Sequence, residues 1–176
     1  MVKRLPDLDP EETDITEIEF KEPLHATESM ARRIALQVLY EADIAGHFPG
    51  LVMARVLDER QPEQPIAIRV RELVEGVFNH YPDMDPLIAK YAPEFPLDQI
   101  AVIDRNILRI AIFEFAIDTR TPVGAAIDEA VELSKVFGAD GSASFTNGVL
   151  GAIAANPSDY EALRGPKAGT ASESES

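Results

Sequence analysis

The chain contains no cysteine. This excludes a disulfide scaffold, a thiolate nucleophile and a cysteine-ligated zinc, and it is compatible with a cytoplasmic location. No stretch approaches the about 18 consecutive apolar residues of a membrane span, so no membrane association is expected. The opening residues carry Asp7, Asp9, Glu11 and Glu12 where a secretory signal would be apolar. Positive charge is scarce: 16 Lys and Arg against 31 Asp and Glu leave a net charge of −15 over 176 residues. So acidic a chain repels phosphate and does not gather nucleic acid indiscriminately. RNA binding would need a local basic patch, or completion by a basic partner. Histidine is limited to His25, His47 and His80, each isolated. No HExxH motif, phosphate loop or dinucleotide fingerprint occurs. Carboxylate pairs at helical spacing, such as Asp128 with Glu132, read as solvated helix faces in a chain with this many acids. No enzyme activity and no cofactor is expected.

The length suits one domain, or two small subdomains sharing a core. Charge is uneven along it. Residues 1–28 hold nine acids and three bases, a net of −6, and are expected to form a disordered acidic arm. Residues 29–156 hold 11 bases and 18 acids. The polar run from Gly169 points to a disordered tail over 157–176. Between these ends the fold class reads as all-α, because apolar residues recur at helical spacing between Pro and Gly breaks. A first helix starts at Ser29 and buries Ile34, Ala35, Val38 and Leu39; a short second runs from about Leu51 to Glu59. A third carries Ile66 to Phe78, and Asp83 or Asp85 caps a fourth containing Leu87, Ile88 and Tyr91. The fifth, from Ile100 to Phe115, is apolar around most of its circumference and should be the buried centre. Thr121–Pro122 opens a sixth, which Gly138 ends, and Ser142 caps a seventh that finishes before Pro157. Gly148 inside the seventh suggests a close helix approach.

Several stretches are more specific than periodicity. ARRIALQVLYE (31–41), ELVEGV (72–77), DRNILRIAIFE (104–114), TPVGAAIDEAVELSKVFG (121–138) and SFTNGVL (144–150) follow one another in an order and spacing that resembles the NusB family. The resemblance covers about residues 29–156. It implies a seven-helix bundle, with two small helical subdomains sharing a long central helix. It also implies a transcription antitermination factor. Such a factor binds boxA RNA with NusE, a small-subunit ribosomal protein, within an RNA polymerase antitermination complex that reads through terminators, notably on ribosomal RNA operons. No cofactor is implied, and a homodimer is compatible with it.

The resemblance places RNA contacts at the start of the first helix and of the last. Arg32 and Arg33 match the end of the family's arginine-rich segment and suit bidentate phosphate binding; ion pairs with nearby acids are the alternative. Gln37 and Tyr40 share a face of the same helix, with Tyr40 equally suited to the core edge. Phe145 can stack a base or pack inside. Ser142, Ser144 and Asn147 offer hydrogen bonds beside it. Partner contacts fall on Asp104 and Arg105, and more weakly on Glu75 and Tyr81. Arg109 is expected to pair internally with Glu129 or Glu132. The acidic arm is complementary to Arg32 and Arg33, and can cover them. Several basic or aromatic family positions are replaced here by Glu28, Ser29, Met30, Val123, Gly124 and Ser144. Weak RNA affinity alone, rescued by a basic partner, is therefore the expectation. A protein-only interaction module on the same fold is the alternative.

Overall fold

The computed structural model describes residues 24–165. Among these, the chain is helical throughout, with α1 (Leu24–Ala45), α2 (Pro49–Arg60), α3 (Gln64–Tyr91), α4 (Val102–Ile112), α5 (Val123–Phe137), α6 (Ser142–Ala154) and the short α7 (Pro157–Glu161). α1, α2 and α3 pack on one another, α5 packs on α6, and α4 touches α1, α3, α5 and α6. This is the expected pair of small bundles around a shared helix. Every residue of α4 from Asn106 to Ile112 is buried, so it is the centre that its all-round apolar pattern predicts. No helix among the described residues is long and apolar enough to cross a membrane.

Three boundaries differ from the sequence reading. α1 begins at Leu24 rather than at Ser29, because its first turns are docked. Glu28 accepts from Arg69 Nε at 2.9 Å, and Ser29 Oγ donates to Glu129 at 2.9 Å. The expected third and fourth helices are one, since α3 runs through Pro82 and Pro86. A proline inside a helix costs about 3 kcal/mol. Here both rings face solvent while one stripe of Val70, Leu73, Val74, Val77, Met84, Leu87 and Ile88 stays buried on either side of them. Asp85 caps nothing; it receives Arg109. Finally, residues 157–165 are not tail. Tyr160 of α7 is buried and meets Phe115 edge-on at 5.1 Å, Asp159 holds Lys90 Nζ at 2.6 Å and the Tyr91 hydroxyl, and Arg164 Nε donates to the Ala116 carbonyl at 2.8 Å. The arm over residues 1–23 and the tail over 166–176 lie outside the described residues.

α4 continues into a π-helical turn, Phe113–Asp118. Such a bulge shifts the helical register by one residue, and here it accompanies a fully enclosed Glu114 beside buried Phe113 and Phe115. Phe113 lies against α3 at Gly76, where a Cβ would come within 2.2 Å of the ring. Gly76 is thus needed for the seam between α3 and the π turn. Gly148 is not needed for packing, since a Cβ there would meet nothing within 4 Å.

Candidate nucleic-acid interface

α1 carries two arginines side by side, and the fold sends them to opposite fates. Arg32 is 4% exposed. It donates to Glu114 through Nε at 2.9 Å and Nη2 at 2.8 Å, and lies 3.4 Å from Glu129. From α3, Arg69, also buried, reaches Glu114 at 3.2 Å, Glu28 at 2.9 Å, Glu72 at 3.1 Å and Asp118 at 3.0 Å. Burial works against the charge on both guanidiniums. Hydrogen bonding and the surrounding carboxylates outweigh it, and hold both above the ordinary arginine pKa. The expected role of Arg32 as a phosphate contact is therefore corrected. It ties α1 to the π turn and to α5, and its guanidinium is taken up by these carboxylates.

Arg33, one residue on, is exposed. It belongs to a stripe of Met30, Arg33, Gln37, Tyr40 and Ile44 at alternating three- and four-residue spacing, which puts all five on one helix face. This stripe forms one wall of a groove of about 760 Å³, whose other lining includes Arg60 from α2, Ile103 at the start of α4, and Phe137 at the end of α5. Arg60 Nη2 donates to Gln37 Oε1, and Gln37 Nε2 donates to Glu41 at 3.2 Å. Tyr40 is 39% exposed, so the core-edge alternative does not use up its ring. Among the described residues, Arg33, Arg60, Arg71 and Arg164 have no carboxylate within ion-pair distance. Two of these four line the one groove. The sequence reading missed Arg60. It sits 27 positions after Arg33, in no recognisable motif, and only the packing of α2 on α1 brings it in.

At the start of α6 the residues separate again. Ser142 is buried, donates to Asp104 Oδ2 at 3.1 Å and accepts from the Ala139 N–H at 3.0 Å. Gly141, not Ser142, is the residue that caps α6. Ser142 thus joins α6 to α4 and is withdrawn from the RNA candidates. Ser144 is exposed and Phe145 half-buried. Phe145 meets Phe95 edge-on, ring centres 5.9 Å apart, and with Tyr91, Pro93 and Ser144 they line a hollow of about 480 Å³. The ring thus packs on Phe95 and stays partly accessible. Asn147 is exposed on α6 but outside the hollow.

The partner candidates do not share one surface. Asp104 is buried on Ser142, with Oδ1 unbonded. Burial raises its pKa, and the Ser142 bond partly offsets that. It presents no carboxylate to a partner, a second correction. Tyr81 and Arg105 do converge, lining a cleft of about 280 Å³ with Asp43, His47, Phe78 and Arg109. Arg105 is half-buried, with Asp43 at 3.6 Å and the Leu97 carbonyl at 3.3 Å. The Arg109 guanidinium lies 5.2 Å above the Tyr81 ring. Arg109 pairs with Asp85 at 2.8 and 2.7 Å and with Asp43 at 3.4 Å, not with Glu129 or Glu132. Glu75 is exposed on α3, away from this cleft.

Known proteins bear on this arrangement. The sequence model of the NusB family matches residues 29–155. A transcription antitermination protein NusB from Roseiflexus sp. (strain RS-1) is 44% identical over 124 residues, covering 69% of this chain and 87% of that protein. Its counterpart from Dehalococcoides mccartyi (strain ATCC BAA-2266 / KCTC 15142 / 195) is 42% identical over 123 residues, covering 70% and 86%. Among solved structures, T. maritima NusB superposes with a TM-score of 0.67 at 27% identity, over 73% of this chain and 91% of that one. A crystal structure of the antitermination factors NusB and NusE in complex with dsRNA matches with the same TM-score and identity, over 73% and 96%. With a family match across most of its length and relatives above 40% identity, the chain belongs to the NusB family.

Proposed function

We propose that the protein is a transcription antitermination factor. It binds boxA-type RNA jointly with the ribosomal protein NusE, and so joins an RNA polymerase antitermination complex that promotes read-through, notably on ribosomal RNA operons. It acts by binding rather than catalysis. The observation that carries the reading is the α1 groove, where, among the described residues, Arg33 and Arg60 stand without carboxylate partners beside Tyr40 and Gln37 in an otherwise acidic protein. Guanidiniums unspent on internal pairs are what phosphate requires, and the ring of Tyr40 and the Phe95–Phe145 hollow offer faces for unstacked bases. A solved relative assembled with NusE and RNA supports the same partners. Two free arginines are few. The isolated chain therefore binds RNA weakly, and a basic ribosomal protein supplies the remaining attraction through the acidic surface. Arg105 and Tyr81, in their cleft, are the candidate partner contacts, and a homodimer through the same surfaces is compatible with them.

The test is a titration of boxA RNA followed by anisotropy, with and without NusE. Weak binding alone and tight, salt-sensitive binding with NusE is the expected result. Tight binding by the isolated chain contradicts the reading. The scarcity of unpaired cations favours one other reading, a protein-only interaction module. It predicts NusE binding with no boxA affinity in either titration.

A further inference from the structure

We propose that the α1 groove is the docking site of this chain's own acidic arm, residues 1–23, which sits on Arg33 and Arg60 until RNA displaces it. Charge is the first argument. The arm holds Asp7, Asp9, Glu11, Glu12, Asp14, Glu17, Glu19 and Glu22 against Lys3, Arg4 and Lys21. The hollow nearest the start of α1, lined by Arg32, Arg69 and Arg120, is a poor receptor. Its arginines already face Glu28, Glu72, Glu114, Asp118 and Glu129, so a further carboxylate is repelled there. The next cations along α1 are Arg33 and, bonded to Gln37, Arg60.

Reach is the second argument. From Leu24 to Arg33 along α1 is about 14 Å, and to Gln37 about 20 Å, at a rise of about 1.5 Å per residue. Extended chain advances about 3.3 Å per residue. An arm folded back over α1 therefore brings Glu17 and Glu19 to Arg33, and Glu12 and Asp14 to Arg60, with residues to spare. Composition is the third. Ile15, Ile18 and Phe20 fall in the same stretch, and the groove has an apolar part made by Met30, Ile103 and Phe137 that suits such side chains. The match to the NusB family model begins at residue 29, downstream of the arm. The docking stands on this geometry; its effect on RNA binding rests on the function proposed above.

The absence of cysteine makes the test clean. The variant Thr16→Cys carries a single nitroxide label in the full chain, and amide signals report its distance. At about 0.05 M salt the amides of Arg33, Tyr40 and Arg60 should lose more than half their intensity and recover at about 0.5 M, and the loss should fall off with distance from the groove. Arg33→Glu with Arg60→Glu should abolish the loss. Unchanged groove signals, uniform loss over the surface, or loss that survives the charge reversal overturns the docking. So does equal loss in a mixture where label and isotope are on different molecules, which would mean a second copy supplies the arm. Deleting residues 1–22 should then raise boxA affinity several-fold at low salt. Groove signal loss with no RNA binding by either form keeps the docking and removes the RNA reading; RNA binding without signal loss does the reverse.

Discussion

Arg32 and Arg33 are neighbours in sequence with opposite roles, and substitution should separate them. Glu114→Gln leaves two buried guanidiniums short of their shared counter-charge. Breaking such a set costs about 3–5 kcal/mol, read as a lower urea midpoint, with RNA contacts affected only through folding. Arg33→Ala and Arg60→Ala should leave the midpoint nearly unchanged, since exposed unpaired side chains contribute little to stability. Each should instead weaken boxA binding and flatten its dependence on salt by about 0.7 per lost phosphate contact on a log–log plot, the single-strand value. Phe145→Ala should cost about 1–3 kcal/mol of RNA binding through lost stacking, with little change in that slope. Sequence alone showed that arginines belong at this end of α1, but not which one is free. Burial depends on the π turn that brings Glu114 inward, and a one-residue register shift leaves no signature in hydrophobic spacing. Arg60 was illegible for a different reason, because it reaches the groove only through helix packing.

The helices whose apolar stripes are unbroken, α4 and α5, were readable nearly to their ends, whereas α1 starts five residues ahead of the expected Ser29. α3 was not, because Pro82 and Pro86 are strong local stop signals that only a continuous buried face overrides. α7 was missed because five residues carry no periodicity. Its claim to be structure rests on Tyr160 against Phe115 and on Asp159 against Lys90 and Tyr91. Tyr160→Ala should therefore cost about 3 kcal/mol of stability, visible in thermal unfolding, where a loose tail would show nothing. Two carboxylates give opposite pH signatures. Lys90 and Tyr91 hold the Asp159 carboxyl below its usual pKa. That contribution is present above the ordinary carboxylate range and fades as pH falls through the lowered value. Burial raises the pKa of Asp104, so its contribution is full at acid pH and lost as pH rises through the raised value. Asp104→Asn should accordingly raise the melting temperature at neutral pH relative to the parent. The difference should shrink or reverse in acid, where the parent carboxyl is protonated; a pH-independent difference would refute this.

The whole molecule is an acidic body, and most cations among its described residues already face carboxylates, some inside and some on the surface. Long-range steering therefore favours a basic protein partner over RNA, and association with NusE should slow steeply with added salt while unfolding of the chain alone changes little. The enclosed set of Arg32, Arg69 and Glu114 has a further consequence for how this sequence can change. Each single replacement leaves a buried charge with fewer partners, so every one-step route away from the arrangement costs stability. Replacing all three with apolar side chains would in turn leave Glu28, Asp118 and Glu129 without these cations, so a neutral replacement has to include those carboxylates as well. These positions thus resist stepwise drift, and a redesign has to take in the whole charged cluster.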